Sequence, residues 1–183
     1  MQSLMLLKNF LTDKDVATIA PSSRFSIKKL CKKIDFNKRN VIVEYGPGNG
    51  CISFPILKKM NKDSKLIVVE KNKNLVKYLK KTKDPRFIVE DDIAHNVQQI
   101  LRKHGEEKAD IILSGIPLSF FNKKQKTDLM KKTYESLNPE GKFLVYQFSR
   151  EAEKYLEKQF DQVNKQFEIL NIPPLAIFEA IRK

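Results

Sequence analysis

Tryptophan is absent from this 183-residue sequence, and cysteine, histidine and glycine are scarce, with two, two and six residues. Cys31 and Cys51 cannot build a disulfide framework, and no group of Cys, His or acidic residues has metal-site spacing. No uninterrupted apolar run approaches the roughly 18 residues that a membrane-spanning helix needs. The opening stretch MQSLMLLKNFL has no basic segment before its apolar residues, which disfavours a signal peptide. A cytoplasmic location is therefore expected.

Arginine is also scarce, although the chain is strongly basic. Only six of the 35 basic residues are arginine, and with 22 acidic residues the formal net charge is +13. Lysine acts as a diffuse point charge, whereas arginine is favoured for bidentate recognition of phosphates and bases. The charge suits an anionic membrane surface or nucleic acid, and it also fits solvated helix faces. A hydrophobic content of 41% excludes a disordered chain and predicts one domain with a sizeable core.

Strand-like apolar runs alternate regularly with helical patterns along the chain. The predicted strands are 40–45, 65–70, 86–90, 110–114 and 142–148. The predicted helices are near 51–60, 72–82, 94–104 and 122–137, with a turn at NPEG (138–141). Ser149 is predicted to cap a further helix that has Glu151 and Glu153 in its first turn. The closing segment FEILNIPPLAIFEAIRK gives two strands joined by residues 171–174.

This alternation predicts an α/β fold with a mostly parallel, seven-stranded sheet and helices on both faces. The two closing strands have no helix between them, so they predict a C-terminal antiparallel hairpin. Such an ending is typical of Rossmann-like class I methyltransferases and not of nucleotide-binding dehydrogenases.

Three of the six glycines fall in one loop directly after the first predicted strand. In VEYGPGNG, Glu44, Gly46, Gly48 and Gly50 form the pattern E-x-G-x-G-x-G. Glycine allows a tight turn and a close approach of backbone to a ligand. The dinucleotide fingerprint has the different spacing G-x-G-x-x-G, and an acid before the loop would repel a pyrophosphate. The acid suits a ligand with an ammonium and a sulfonium, although the glycines alone also fit an ordinary strand–helix turn.

Acidic residues at the ends of the next two predicted strands extend this pattern. Glu70 can accept hydrogen bonds from both hydroxyls of a ribose, and Asp92 can accept from an adenine amino group with Ile93 beside the ring. Ser114, at the end of the fourth strand, is assigned to the same site. In this order, the acids and glycines predict S-adenosylmethionine binding.

The whole chain resembles the small, soluble, class I phospholipid N-methyltransferases of bacteria. The resemblance is carried by FLTDKDVATIAPSSRF (10–25), VIVEYGPGNG (41–50), ILSGIPLSFF (112–121), FLVYQFS (143–149) and NIPPLAIFE (171–179). It implies a single domain, in which a helical segment (1–39) precedes a Rossmann-like core (40–183). It also implies methylation of the headgroup amine of phosphatidylethanolamine and its partly methylated forms. The protein would then be peripheral on the inner face of an anionic membrane, with no obligate protein partner.

The ribosomal RNA adenine dimethyltransferases are similar in pattern and supply the alternative. NFLTD (9–13) resembles their N-terminal motif, but their N-x-P-Y motif reads Gly115, Ile116, Pro117 and Leu118 here. Their C-terminal helical domain also has no counterpart in this sequence. Methylation of adenine in RNA or DNA is therefore disfavoured. A binding protein that kept the fold and lost turnover is the other alternative.

Residues for the methyl acceptor follow from this resemblance. The predicted substrate residues are Gly115, Pro117, Leu118, Phe120 and Phe121. Gly115 is expected to admit the substrate closely, Pro117 to fix the turn and Leu118 to form an apolar wall.

The acceptor must be a neutral amine, so a group must take its proton or desolvation must lower its pKa. Tyr45 and Tyr146 are the predicted catalytic residues that orient the amine, and nearby aromatic rings could contact a methylated ammonium. The same rings could instead pack in the core. His95 and His104 are expected at the surface.

The N-terminal segment has helical periodicity. Leu4, Leu7 and Leu11 recur at i, i+3 and i+7, together with Phe10, and predict an amphipathic helix. Such a helix could lie in the headgroup region of a membrane or pack over the sheet. The run KKLCKK (28–33) is predicted to belong to the next helix.

Overall fold

The apolar runs of the sequence form the parallel part of one sheet. A computed structural model describes residues 24–169 and 174–183. The strands are β1 (Val41–Tyr45), β2 (Lys65–Glu70), β3 (Phe87–Asp91), β4 (Ala109–Ser114), β5 (Leu137–Gln147), β6 (Gln162–Glu168) and β7 (Leu175–Ile181). Their order is β3-β2-β1-β4-β5-β7-β6, and β7 is antiparallel to both neighbours. The expected class I fold with its antiparallel hairpin is confirmed.

Helices cover both faces of this sheet. They are α1 (Arg24–Cys31), α2 (Ser53–Lys59), α3 (Lys73–Leu79), α4 (Val97–Lys103), α5 (Lys123–Glu135) and α6 (Glu153–Gln159). Two single 3-10 turns, Ala94–Asn96 and Leu118–Phe120, precede α4 and α5. One face packs against α1, α2 and α3 through a buried cluster that includes Leu30 and Ile56. The opposite face packs against α4, α5 and α6 through a second cluster that includes Leu101 and Leu129.

The centre of the sheet provides the ligand crevice. Every residue of β1 is buried, since this strand lies between β2 and β4 and is covered on both faces. The carboxyl ends of β1 and β4 lie side by side, with Tyr45 opposite Ser114. The chain leaves these two strands toward opposite halves of the sheet. Open α/β sheets bind their ligands at such a switch point.

The NPEG segment is a bulge inside a strand and not a turn before one. Ala109 pairs with Leu137, whereas Ile111 pairs with Lys142, so residues 138–141 project from the ladder. Glu140 adopts a φ of 59° there. The fifth strand therefore begins at Leu137, which corrects the predicted start at residue 142.

The helix after β5 begins later than predicted. α6 starts at Glu153, and the residue before it, Ala152, makes no side-chain cap. Ser149 is therefore not the helix cap. Its hydroxyl oxygen instead accepts a hydrogen bond from the Glu151 amide at 3.0 Å and closes a local turn.

Part of the predicted N-terminal helical region lies outside the described residues. This applies to the amphipathic pattern at residues 4–11. The KKLCKK run is helical only as far as Cys31, where α1 ends. In the ranges 24–169 and 174–183, no helix is long and apolar enough to cross a membrane.

Candidate active site

The glycine loop after β1 depends on backbone conformations that other residues rarely adopt. Gly46, Gly48 and Gly50 have φ values of 65°, 59° and 79°. A Cβ on Gly46 would lie 2.7 Å from the Ile116 side chain, and one on Gly50 would lie 2.5 Å from the Phe54 ring. A Cβ on Gly48 would meet no atom within 4 Å. Of the three glycines, Gly48 is thus the one that leaves room for a ligand.

A cavity of about 190 Å³ opens beside this loop, at the carboxyl edge of the parallel strands. Its walls include Gly46, Gly48, Glu70, Asp92, Ile93, Pro117, Phe120 and Phe121 from the sequence prediction. The other lining residues are Val69, Lys71, Asn72, Leu75, Ala94, His95 and Ile116. The structure therefore gathers residues that follow four different strands around one space.

Glu70 connects the end of β2 to the glycine loop. Its Oε1 accepts from the Asn72 amide at 2.9 Å, and its Oε2 accepts from the Gly48 amide at 3.3 Å. Burial raises the pKa of this carboxyl, while hydrogen bonds from the Asn72 and Gly48 amides oppose the rise. Each carboxylate oxygen has a further lone pair. The two oxygens can therefore accept from a pair of ribose hydroxyls.

Asp92 and Ile93 form the next part of the wall, directly after β3. Asp92 Oδ1 accepts from the Ile93 amide and from Asn96 Nδ2, each at 2.7 Å. These bonds fix the direction of the carboxylate, which can accept from an adenine amino group. Ile93 is 49% exposed and offers an apolar surface to a ring.

Glu44 lies beneath the glycine loop and does not line the cavity. It is fully buried, and it accepts from Ser53 Oγ at 2.5 Å and from the Tyr146 hydroxyl at 3.0 Å. Burial raises its pKa to about 7, against the opposing effect of these two hydrogen bonds. Glu44 does not line the cavity in this structure, and its predicted role as a cofactor ligand stays a prediction.

Tyr45 is turned away from the site, although it is the neighbour of Glu44. Its ring is fully buried against Phe143, and its hydroxyl is 3.3 Å from Thr133 Oγ1 on α5. Burial raises the pKa of this phenol. Successive side chains of a strand point to opposite faces, so Glu44 and Tyr45 cannot share one environment. The predicted catalytic role of Tyr45 is therefore corrected to core packing.

Some of the predicted substrate residues after β4 line the cavity, and others lie in the core. Pro117, Phe120 and Phe121 line the cavity. Leu118 is 3% exposed and belongs to the core on the α4–α6 face, so its expected role as a substrate wall is corrected. Ser114 is also buried, and its hydroxyl accepts from the Ile116 amide at 3.3 Å, which stabilises the turn.

The backbone of Gly115 lies close to a side chain of the protein. A Cβ at this position would lie 2.6 Å from Tyr146 Cε2 and 2.7 Å from the Tyr146 hydroxyl. The expectation that Gly115 makes room for a substrate is therefore corrected. Glycine is needed here because Tyr146 occupies the adjoining space.

Several lining residues were missed by sequence reasoning. Asn72 caps α3 by accepting from the Asn74 and Leu75 amides, and its cap motif was a detectable signal. His95 was expected at the surface but lines the cavity, where its ring lies edge-on to Phe121 at 5.3 Å between centroids. His95 is only partly buried, and no pattern in the sequence indicated that it borders the cavity.

These groups fit S-adenosylmethionine. The site combines a carboxylate for a ribose, a second carboxylate beside an apolar surface for an adenine, and a glycine with open space above it. Together with the strand order, they define a class I S-adenosylmethionine-dependent methyltransferase.

Comparisons with known proteins agree with this class. Residues 17–170 match the family described as Methyltransferase small domain, and the chain belongs to this family. The chain is 30% identical to the ornithine lipid N-methyltransferase of Singulisphaera acidiphila, over 96% of this chain and 93% of that protein. The resemblance to small bacterial lipid N-methyltransferases is thereby confirmed.

Two further similarities are more limited. The ribosomal RNA small subunit methyltransferase A of Mycoplasma mycoides is 27% identical over 57% of this chain and 36% of that protein. Precorrin-6Y C5,15-methyltransferase of Geobacter metallireducens superposes with a TM-score of 0.69 at 14% identity, over 94% of this chain and 93% of that structure. At that identity, the likeness shows the fold alone.

The protein is thus an enzyme, and S-adenosylmethionine is its methyl donor. When bound, it supplies an electrophilic methyl group on a sulfonium. The contribution of the protein to such an in-line transfer is positioning, exclusion of water and management of the acceptor's proton.

Proposed function

We propose that this methyltransferase methylates the headgroup amine of phosphatidylethanolamine and of its partly methylated forms at an anionic membrane surface. The observation that carries the proposal is a group of exposed apolar side chains along the sheet edge that carries the cavity. They are Phe25, Ile93, Phe120, Phe148, Phe167 and Ile169, here called the apolar rim. The only other large apolar side chain exposed in the described residues is Tyr78.

The members of the apolar rim share one edge of the sheet. Ile93, Phe120 and Phe148 follow the carboxyl ends of β3, β4 and β5. Phe167 and Ile169 lie at the end of β6, which runs in the same direction as β5 because β7 between them is antiparallel to both. This is the edge that carries the cavity.

Phe25 joins the same edge through the direction of α1. Lys29 pairs with Glu168 at the end of β6 at 3.0 Å, whereas Lys33 pairs with Glu179, farther from that edge, at 2.9 Å. The N-terminal turn of α1, which contains Phe25, therefore lies toward the same edge of the sheet. Ile93 and Phe120 line the cavity, and the other members extend along the same edge. A set of exposed large apolar side chains on one edge is typical of an interaction site.

Basic side chains accompany the apolar rim. Lys71 lines the cavity, Lys123 and Lys124 begin α5 just after Phe120, and Arg150 follows Phe148. All four residues are exposed. Apolar side chains that enter the interface, flanked by basic groups that attract anionic lipid, are the combination by which peripheral proteins bind membranes.

The segment after β4 favours an alkyl amine over an adenine. An adenine amine is held by an amide and a stacking ring, but position 115 is glycine and Leu118 is buried in the core. A headgroup amine needs only a narrow passage that excludes water. The relative named for an ornithine lipid matches 96% of this chain, whereas the RNA enzyme matches 57% of it. The longer match favours a lipid amine.

An ornithine lipid is the second candidate substrate, favoured by the 30% identity to a methyltransferase named for it. Both lipids would present an amine at the membrane surface to the same cavity. The protein would use the same apolar rim and the same cofactor site for both lipids. Only a measurement of which lipid amine is methylated separates the two candidates.

The first expected result concerns the acceptor. The full chain, incubated with methyl-labelled S-adenosylmethionine, should label phosphatidylethanolamine in anionic vesicles and leave unmethylated ribosomal RNA unlabelled. Separate vesicles with ornithine lipid provide the comparison. Label in ornithine lipid with phosphatidylethanolamine inert would replace the first substrate by the second. Label in RNA adenine with both lipids inert would overturn the proposal.

The second expected result concerns the apolar rim. Phe148→Ser combined with Ile169→Ser should weaken binding to anionic vesicles roughly tenfold or more, because each side chain loses apolar burial in the interface. Sedimentation with vesicles measures this, and high salt should weaken binding further. Tyr78→Ser is the matched control, since it removes an exposed ring near the end of α3, away from the cavity. An equal loss in this control would contradict a role of the apolar rim.

A further inference from the structure

The contact between Gly115 and Tyr146 places a phenol at the substrate segment. A side chain at position 115 would begin within 2.7 Å of the Tyr146 hydroxyl, so the phenol fills the volume that such a side chain would use. The next two residues, Ile116 and Pro117, line the cavity. Tyr146 is buried and is not itself a lining residue, and its hydroxyl adjoins Gly115 at the place where an amide would project in a chain with Asn at position 115.

This hydroxyl is connected to a buried carboxylate. Tyr146 donates to Glu44 Oε1 at 3.0 Å, and Ser53 donates to Glu44 Oε2 at 2.5 Å. All three side chains are buried. Glu44 is held on the strand that carries the cofactor loop, and Tyr146 is held on β5, so the pair links the cofactor side of the site to the substrate side.

We infer that Glu44 accepts the proton of the substrate ammonium and that the Tyr146 hydroxyl passes it on. The inference rests on the proposed function, because it requires an acceptor that arrives as an ammonium. An alkyl ammonium must lose one proton before its nitrogen has a lone pair for methyl transfer. Neither Glu44 nor Tyr146 needs to contact the sulfonium for this step.

The step is balanced in atoms and charge. The ammonium N–H bond breaks, and its proton bonds to the Tyr146 oxygen as the Tyr146 proton moves to Glu44 Oε1. A cationic ammonium and an anionic carboxylate become a neutral amine and a neutral carboxylic acid. After product release, the proton returns through Tyr146 to solvent, and the carboxylate is restored.

The charges around the pair suit this exchange. Burial raises the pKa of Glu44 to about 7, and the nearby Glu70 carboxylate adds to the rise. Burial, and after it the nearby Glu44 and Cys51, raise the pKa of the Tyr146 phenol well above its ordinary value. Tyr146 therefore remains neutral and exchanges one proton for another, while Glu44 changes its charge near neutral pH.

Tyr146→Phe tests the pathway, because it removes the hydroxyl and keeps the ring beside Gly115. At pH 7, kcat for the lipid amine should fall about 100-fold, with little change in KM or in the affinity for S-adenosylmethionine measured by calorimetry. The remaining rate should rise about tenfold per pH unit as free amine accumulates. Glu44→Gln should give the same profile. Tyr45→Phe is the matched control and should retain the wild-type rate and profile, since its hydroxyl lies in the core.

A measurement without cofactor or substrate tests Glu44 separately. Its pKa is raised from the ordinary 4.5 to about 7 by folding, so its contribution to stability is present below pH 4.5 and is lost as the pH rises through 7. Glu44→Gln should remove this part of the pH dependence in denaturant unfolding, and Tyr45→Phe should keep it.

The outcomes separate the two levels of the proposal. A wild-type protein that methylates no lipid overturns the proposed function, and the relay with it. A wild-type protein active on lipid, with Tyr146→Phe unchanged in kcat and pH profile, overturns the relay alone. If Glu44→Gln weakens cofactor binding and spares kcat, Glu44 is a cofactor ligand and not a proton acceptor.

Discussion

Gly115→Ala should remove most of the methyltransferase activity and lower the stability of the fold. The added methyl group would lie 2.6 Å from the Tyr146 ring, which is buried and cannot move aside freely. Such overpacking costs about 1–3 kcal/mol. The melting temperature should fall by about 2–4 °C per kcal/mol for a chain of this size. The methylation rate should fall by more than the loss of folded protein explains, because the displaced residues adjoin Ile116 and Pro117 in the cavity wall.

A double-mutant cycle shows whether the Tyr146 contact is the cause. Tyr146→Leu shortens the side chain, so Gly115→Ala should cost less stability in that background than in the wild type. Activity should not return, because the hydroxyl is absent. Equal costs in both backgrounds would show that Tyr146 is not the obstacle.

Glu70→Ala should weaken S-adenosylmethionine binding by about 1.5–3 kcal/mol, or on the order of 10- to 100-fold. The carboxylate is expected to accept from two ribose hydroxyls, and it also holds the Gly48 and Asn72 amides in the cofactor loop. Calorimetry with S-adenosylmethionine measures the affinity, and a melting curve shows whether the variant is folded. Glu70→Gln should lose less, because its carbonyl oxygen still accepts.

Asp91→Ala is the matched control for Glu70. Asp91 is an exposed acid that pairs in register with Glu70 at the end of the neighbouring strand, outside the cavity lining. Its removal should leave the affinity for S-adenosylmethionine unchanged. A folded Glu70→Ala protein with wild-type affinity would remove Glu70 from the cofactor site.

The sheet could be predicted from the sequence because its central strands are buried on both faces. Such strands appear as continuous apolar runs separated by helical patterns, and the runs for β2 and β4 were located to within one residue. The cofactor loop could also be predicted, since a positive φ at three alternating positions leaves glycine as the favoured residue.

The same continuous burial hides the direction of each side chain. In β1, all five residues are buried, so no alternation of polar and apolar residues shows which of Glu44 and Tyr45 faces the cofactor loop. The roles of Tyr45 and Tyr146 therefore could not be separated by sequence. Whether Tyr45 or Tyr146 reaches the Glu44 carboxylate depends on the face of the sheet on which that carboxylate lies. The register of the strands determines this face.

Long-range packing explains the other differences. Gly115 and Tyr146 are distant in sequence, and nothing local shows that one fills the space beside the other. Leu118 and His95 lie in or beside 3-10 turns, where directions differ from those of a regular helix.

The position of β7 between β5 and β6 affects how the protein is made. Residues 175–181 form hydrogen bonds on both sides, to β5 and to β6, so the sheet acquires its final edge only when this segment arrives. During synthesis, a nascent chain that has not yet released these residues from the ribosome would expose the long, buried edge of β5. An unpaired apolar edge is prone to pair with other chains. Slow elongation through this region, or premature termination before residue 175, is therefore expected to produce aggregation and recruitment of chaperones, and not a partially active enzyme.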